Sequence, residues 1–363
     1  MNSTSALFNT VIRLVFAVLL ATALFFGEEG SAQQAKLSPQ QQDTVQKLIN
    51  GLNEYPGTTR RCLSSIQSFG NTDTVLVGKN IVCAKEWLRM IGNNKDTQVT
   101  RSQFQAWIRQ LDRLYDCYRD FEGEKLRNEV ILVTPPPISG AKDAPHAHHA
   151  SVICLHLDEE RMKKTLQEIR LQGSPTFMAM HEMAHIFSQH SPWVAENETA
   201  AELLHAYALE RGGFKYGYPE GNSMQYSPSK GTQQRHGRIK AALENLKNDN
   251  IQPFTYEYGS AYQLYMLGLV EGLGWDTIKK AVQSYHNGTY TPTKTYDKSN
   301  VKAAKTHEFF DRVAHFHDEA RARKSPTIPP ASKNMTGAQA LRHGPDKGEL
   351  LDKYFTVPTT PIP

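Results

Sequence analysis

Residues 181–185 read His181-Glu182-Met183-Ala184-His185 and have the pattern His-Glu-x-x-His. On an α-helix, residues i and i+4 lie on the same face, so both imidazoles can reach a single metal ion. The glutamate beside the first histidine can then act as general base on a water molecule held by that ion. The stretch therefore predicts a helix that carries two zinc ligands, His181 and His185, and a catalytic carboxylate, Glu182.

The residues around this stretch favour a buried helix. Ser174 and Pro175 have the order of an N-cap followed by proline at the first helical position. Apolar residues then recur near helical spacing and are expected to bury one face, namely Phe177, Met180, Ala184 and Phe187. The alternative is an ordinary amphipathic helix whose two histidines bind nothing.

A third ligand is expected downstream, because a catalytic zinc ion usually takes three protein ligands and leaves one position for water. A third histidine at the spacing His-x-x-Gly-x-x-His is excluded, since Ser188 and Ser191 occupy those positions. Glu198 and Glu202 share one face of a second predicted helix. Glu196 and Glu202 are alternative ligands, and a solvated acidic helix face is the other interpretation.

On these residues the chain resembles the gluzincin metallopeptidases, a branch of the zincin superfamily. Glu198-Thr199-Ala200-Ala201-Glu202 fits the Glu-x-x-Ala-Asp/Glu signature of the helix after the motif, and the resemblance is specific over residues 175–210. It implies that Glu198 is the third zinc ligand and that Glu202, where aspartate is commoner, supports a zinc-bound histidine. Such carboxylates fix the tautomer and orientation of a ligating imidazole.

The resemblance also implies an α+β, mostly helical, zincin-like metallopeptidase fold. This fold has a small mixed sheet above the active-site helix and a helical lower subdomain. The sequence itself predicts strands over residues 129–134 and 151–157, and a helix over 158–171 that leads to the motif helix. Residues 212–235 are predicted to form a long surface loop. Further on, two helices are expected on either side of a turn at Gly274.

Four segments are distinguished along the chain. Residues 1–32 are typical of a secretory signal peptide, because a short apolar run precedes small residues; an uncleaved anchor is the alternative. Residues 33–125 are expected to be an N-terminal helical region, with an apolar stripe from Phe104 to Tyr118. Residues 126–324 are the predicted zincin-like catalytic region, and residues 325–363 a disordered C-terminal tail.

The composition of the chain limits which partners and which cellular location are expected. It has 363 residues, of which 39% are hydrophobic, and a formal net charge of +4 at pH 7. The length and hydrophobic fraction allow a sizeable core. The basic residues are spread along the chain, so nucleic-acid binding is not expected. With the signal peptide removed, no stable membrane insertion is expected, and the protein is predicted to be secreted or periplasmic.

The four cysteines of the exported part are Cys62, Cys83, Cys117 and Cys154. An even count in an oxidising compartment permits two disulfides, and the preferred pairing is Cys62 with Cys83 and Cys117 with Cys154. Free buried thiols are the alternative.

Other residues of suitable chemistry have weaker signals. The cluster His146-Ala147-His148-His149 could recruit zinc or form a flexible polar loop. His205 follows Glu198 by two helical turns and fits a packing role better than a ligand role. The tetrahedral intermediate of peptide hydrolysis also needs a hydrogen-bond donor for its negative charge. The candidates are Tyr256, Tyr258, Tyr262 and His236.

The leading hypothesis is a secreted or periplasmic zinc-dependent metallopeptidase that hydrolyses peptide bonds of a peptide or protein substrate, with Glu182 as general base. One alternative is a non-catalytic interaction module on a zincin scaffold. The other is a zinc hydrolase of non-peptide amides such as cell-wall polymers.

Overall fold

The structure is a computed structural model of the chain, and several segments of it are described. These are residue 39 and residues 76–83, 99–123, 131–134, 146–148, 152–154, 166, 169–170, 175, 177–189, 191–220, 223–227, 230–248, 260–296, 301–344, 347–354 and 359–361. The predicted signal peptide, Cys62, Tyr256 and Tyr258 lie outside the described residues.

The described part of the chain is mostly helical. Its α-helices are α1 (Arg101–Glu122), α2 (Phe177–Ser188), α3 (Asn197–Glu210), α4 (Lys230–Asn248), α5 (Ser260–Leu273), α6 (Trp275–Asn287), α7 (Val301–Ala322), α8 (Gly337–Arg342) and α9 (Lys347–Tyr354), with a short 3-10 helix at Pro330–Ser332. Its strands are β1 (Leu76–Val77), β2 (Ile81–Cys83), β3 (Ile131–Thr134), β4 (His146–His148), β5 (Val152–Cys154), β6 (Tyr216–Glu220), β7 (Ser223–Ser227), β8 (Lys294–Tyr296) and β9 (Thr359–Pro361). None of the described helices combines the length and the apolar character needed to cross a membrane.

Helix α1 has clear sequence signals at both ends. Thr100 and Gln103 form a capping box at its start, and Gly123 ends it in the left-handed conformation with φ of 76°. The predicted apolar stripe is confirmed as a buried face, which consists of Phe104, Trp107, Ile108, Leu111, Leu114, Tyr115 and Tyr118. The Asp112 side chain accepts hydrogen bonds from the backbone N–H groups of Lys79, Asn80 and Ile81, and so ties the β1–β2 turn to this helix.

A five-stranded sheet has the order β1-β2-β3-β5-β4. Its three inner strands are parallel, and β1 and β4 are antiparallel edge strands. Strands β4 and β5 both contact helix α2. The prediction that residues 33–125 are helical is wrong at β1 and β2. Strand β1 pairs with β2, and β2 pairs with distant residues of β3, which local periodicity does not reveal.

The surface loop predicted over residues 212–235 is also partly wrong. Strands β6 and β7 form an antiparallel hairpin in which Tyr216 pairs with Ser227 and Glu220 with Ser223. Helix α4 already begins at Lys230. The Gly and Tyr residues of the two strands therefore belong to a paired hairpin rather than to an irregular loop.

One hydrophobic cluster joins α1 to the helices that follow it. The Phe121 ring lies 4.7 Å from the ring of Tyr207, 6.3 Å from that of Trp275 and 6.4 Å from that of Trp193, measured between centroids. The boundary predicted at residues 125 and 126 therefore does not separate two cores. Helix α1 belongs to the same core as α2, α3 and α6.

The C-terminal segment predicted to be disordered instead contains α8 and α9, docked on α5. The Tyr265 hydroxyl donates to the Leu341 carbonyl at 2.8 Å. The Lys347 ammonium donates to the Gly268 carbonyl, and Leu350 is buried. The two helices are too short to show a clear hydrophobic period, and their order comes from docking, which composition does not report.

The preferred disulfide pairing is not found. Cys83 and Cys117 are free thiols. Cys83 is buried in β2, and its burial raises the pKa of its thiol far above the ordinary value. Cys117 packs against Gly212, and burial raises its pKa to about 12. These two residues follow the alternative of free thiols in the core, whereas the side chain of Cys154 lies outside the described residues.

Candidate metal centre

Helix α2 fixes the two motif histidines. Met180, Ala184 and Phe187 are buried, which confirms the apolar face predicted for this helix at these residues. His181 and His185 lie one turn apart on another face of the helix, with their rings nearly perpendicular, at an angle of 89°. Their Nε2 atoms are 3.1 Å apart. The motif therefore brings two imidazole nitrogens together, as the i, i+4 spacing predicts.

Helix α3 presents Glu198 to these histidines. The helix begins at Asn197, and the buried Glu196 is its N-cap. The Glu196 carboxylate accepts hydrogen bonds from the backbone N–H groups of Glu198 at 2.9 Å and Thr199 at 2.6 Å. Because both carboxylate oxygens are used in capping, Glu196 is not the substitute ligand considered from the sequence. It instead fixes the first turn of the helix, where Glu198 lies.

The donor atoms of His181, His185 and Glu198 lie close together. The Glu198 Oε2 atom lies 3.2 Å from Nε2 of His181, and its Oε1 atom lies 3.4 Å from Nε2 of His185. The carboxylate therefore presents one oxygen to each imidazole, and the two imidazole nitrogens are themselves 3.1 Å apart. Tetrahedral ligands at bond lengths of ~2.0–2.1 Å from zinc lie roughly 3.3–3.4 Å apart. The three side chains can therefore hold a metal ion, and they are the one such group found among the described residues.

The electrostatics of this group suit a cation. Hydrogen bonds to His181 and His185 hold the pKa of the Glu198 carboxyl far below its usual range, against the effect of burial. Burial acts to lower the pKa of His181, but the hydrogen bond to Glu198 and the charges of Glu202, Glu182 and Glu198 outweigh it and raise that pKa. The centre thus contains a Glu198 carboxylate that stays ionised, next to a His181 imidazole whose protonated form is favoured by its surroundings.

Glu202 lies behind His181, where the sequence predicted a supporting carboxylate. Its Oε1 atom is 3.5 Å from Nδ1 of His181, the ring nitrogen that does not contact Glu198 or His185. Arg238 of α4 contacts the same Oε1 atom at 3.1 Å. Burial raises the pKa of Glu202, and the charge of Arg238 opposes that rise. The longer side chain of glutamate therefore still reaches the imidazole.

Glu182, the predicted general base, is buried on α2 beside His181. Its charge contributes to the raised pKa of His181, which places it within electrostatic reach of the centre. The sequence interpretation of Glu196, Glu198 and Glu202 as a solvated acidic face does not hold. Glu196 and Glu202 are buried and Glu198 is half-buried.

Of the remaining candidates, those whose side chains the structure describes do not join the donor group. His205 is fully buried and its Nδ1 atom lies 4.0 Å from Oε2 of Glu202, so it packs behind the centre. Burial lowers the pKa of His205 to about 3. The Tyr262 hydroxyl interacts with the Ala195 backbone and the Thr306 side chain, and His236 contacts Glu271 at 2.9 Å. For the cluster around His146 and His148, the structure describes the β4 backbone and not the side chains.

Sequence reasoning missed two residues that shape this centre, Arg238 and the cap Glu196. An acidic residue just before a predicted helix is a local signal of an N-cap, so the role of Glu196 could have been found. Arg238 is distant in sequence and has no local signal. The assignment of the centre depends on its own geometry, since no protein-family model matches the chain and no curated protein matches it.

Proposed function

We propose that the protein is a zinc-dependent metallopeptidase of gluzincin type that hydrolyses peptide bonds in a peptide or protein substrate. The observation that carries the proposal is the group of donor atoms from His181, His185 and Glu198, whose neighbouring nitrogen and oxygen atoms lie 3.1 to 3.4 Å apart. Two histidines from one helix and a carboxylate from the next are the ligand set of several catalytic zinc sites, which leave the fourth position for water.

The chain's own residues then have distinct roles. When bound, zinc polarises the scissile carbonyl and makes water a better nucleophile. Glu182 accepts a proton from the attacking water and delivers it to the leaving amine nitrogen, so that water and the amide become a carboxylic acid and an amine. Glu202 orients the His181 ring through Nδ1.

The zincin-like fold and the location are parts of the same proposal. The contact of β4 and β5 with α2 supports a sheet beside the motif helix. Residues 1–32 have the sequence of a signal peptide, which supports secretion or export to a periplasm.

The test is the Glu182→Gln variant, which removes the general base but keeps the shape of the side chain. We expect it to bind zinc as the wild type does and to lose hydrolysis of casein and of a peptide library by at least ~100-fold. The matched control is Glu244→Gln, the same change at an exposed residue of α4, which should retain full activity.

Retained activity in Glu182→Gln would contradict the mechanism. Zinc binding without hydrolysis of any peptide or protein by the wild type would contradict the peptidase assignment. Cleavage of wall polymers in place of casein would redirect the assignment to non-peptide amides.

A further inference from the structure

The connection between the two ligand-bearing helices determines how far Glu198 lies from the histidines. Its described residues are 189 and 191–196, and hydrogen bonds run from Ser191 N to the Ser188 carbonyl and from Val194 N to the Ser191 carbonyl. Trp193, in its middle, is fully buried and packs against Phe309 with ring centroids 5.4 Å apart. Because the connection is short, a shift within it moves Glu198 relative to the motif helix.

A buried carboxylate of α1 holds this connection. Oε2 of Glu122 accepts a hydrogen bond from the Ser191 hydroxyl at 2.7 Å and another from the Trp193 indole N–H at 3.1 Å. All three side chains are buried. Hydrogen bonds to a carboxylate are shorter and stronger than those between neutral groups.

One turn earlier on α1, Tyr118 holds the other side of the centre. Its hydroxyl donates to the Met180 carbonyl at 2.9 Å, directly before His181 in the chain. The Tyr118 ring also packs edge-on against Phe187 of the motif helix, with centroids 5.7 Å apart. Tyr118 and Glu122 are i and i+4, so they share one face of α1. On that face, Tyr118 contacts the motif helix, and Glu122 contacts the connection that leads to Glu198.

We propose that Tyr118 and Glu122 form a brace that sets the separation of the two zinc-binding helices and thereby the affinity for the metal. They are positioning residues, since neither is in the donor group, and their role deepens the proposed function and rests on it. Apolar side chains of the same volume often stabilise a protein more than a buried carboxylate does. The role of Glu122 is instead to fix the positions of the Ser191 hydroxyl and the Trp193 indole N–H. The brace also gives helix α1, upstream of the motif, a part in the metal site.

The test compares Glu122→Gln with Asp112→Asn, a matched change from carboxylate to amide on the same helix. Asp112 bonds the β1–β2 turn and contacts neither zinc-binding helix in these hydrogen bonds. Both variants should lower the Tm of the metal-free protein. We expect only Glu122→Gln to weaken zinc binding, by about tenfold, and to change the visible absorption of the cobalt-substituted protein, which reports ligand geometry.

A Glu122→Gln protein with the zinc affinity and cobalt spectrum of the wild type would overturn the brace while leaving the proposed function intact. Absence of zinc from the wild type would overturn the proposed function and the brace together. Should Glu122→Gln fail to fold, Trp193→Phe removes the indole donor together with part of the ring volume, and keeps an aromatic ring in the core. It is expected to weaken zinc binding in the same direction, and unchanged affinity in that variant would equally overturn the proposal.

Discussion

Nδ1 of His181 and Oε1 of Glu202 lie 3.5 Å apart, and the guanidinium of Arg238 lies 3.1 Å from the same oxygen. The contact connects three helices, because Arg238 belongs to α4, Glu202 to α3 and His181 to α2. The carboxylate that we propose orients the His181 imidazole is in this way itself held by a cation.

Arg238 is therefore expected to act on the metal through Glu202. Glu202→Gln should weaken zinc binding ~10–100-fold, the range seen when partners of metal ligands are removed. Arg238→Gln should weaken it less, and the double variant should bind zinc about as weakly as Glu202→Gln alone. Competition with a chromophoric chelator measures each affinity.

Lys240→Gln is the matched control for Arg238, since it removes a positive charge from an exposed position two residues away on the same helix. It should leave zinc affinity unchanged. Additive effects of Arg238→Gln and Glu202→Gln would show that Arg238 does not act through Glu202.

The N-cap of α3 gives a second prediction. Glu196→Ala should lower the free energy of unfolding by about 1 kcal/mol, because two backbone N–H groups lose their acceptor. Since the same cap fixes the first turn at Glu198, the variant should also bind zinc more weakly. Urea unfolding and zinc titration measure the two effects.

Thr100→Ala removes the comparable cap of α1 and serves as the control for Glu196→Ala. It should cost a similar amount of stability, about 1 kcal/mol, and leave zinc affinity unchanged. If Glu196→Ala binds zinc as tightly as Thr100→Ala does, the cap does not position the ligand.

The docking of α9 predicts a pH dependence of stability. Burial lowers the pKa of Lys347 to about 8, whereas a lysine of an unfolded chain titrates near pH ~10.4. Between these values the unfolded chain binds more protons than the folded protein, so the free energy of unfolding rises with pH. Relative to Lys347→Met, the wild type should gain up to about 3 kcal/mol over this window.

Urea unfolding of both proteins from pH ~7.5 to ~10.5 measures this gain, and groups common to both cancel in the difference. Lys333→Met, which changes an exposed lysine of the same segment, should follow the wild type at every pH. A constant difference between the wild type and Lys347→Met would show that Lys347 is not buried as described.

The two histidines of the centre were predictable from the sequence because they follow local helical spacing. His181 and His185 are one helical turn apart, which periodicity predicts. The choice of Glu198 over Glu196 and Glu202 came from the resemblance to the gluzincin metallopeptidases. The buried stripe of α1 and the turn at Gly274, which has φ of 75° between α5 and α6, were found by the same local signals.

The contacts that support the centre could not be predicted, because they join residues distant in sequence. Glu122 bonds Trp193, and Arg238 bonds Glu202, through tertiary packing that has no spacing rule. The strands β1 and β2 and the helices α8 and α9 were missed for the same reason. Each is short, and its order comes from pairing or docking with distant residues rather than from propensity.

The most direct test of the account is the metal content of the purified protein, measured by elemental mass spectrometry beside Glu198→Ala. Glu244→Ala, the same change at an exposed carboxylate, is the control. If His181, His185 and Glu198 hold zinc, we expect about one zinc per chain in the wild type and the control, and its loss in Glu198→Ala. A wild-type protein that holds no zinc even after zinc is added, or a Glu198→Ala variant that keeps it fully, would contradict the account.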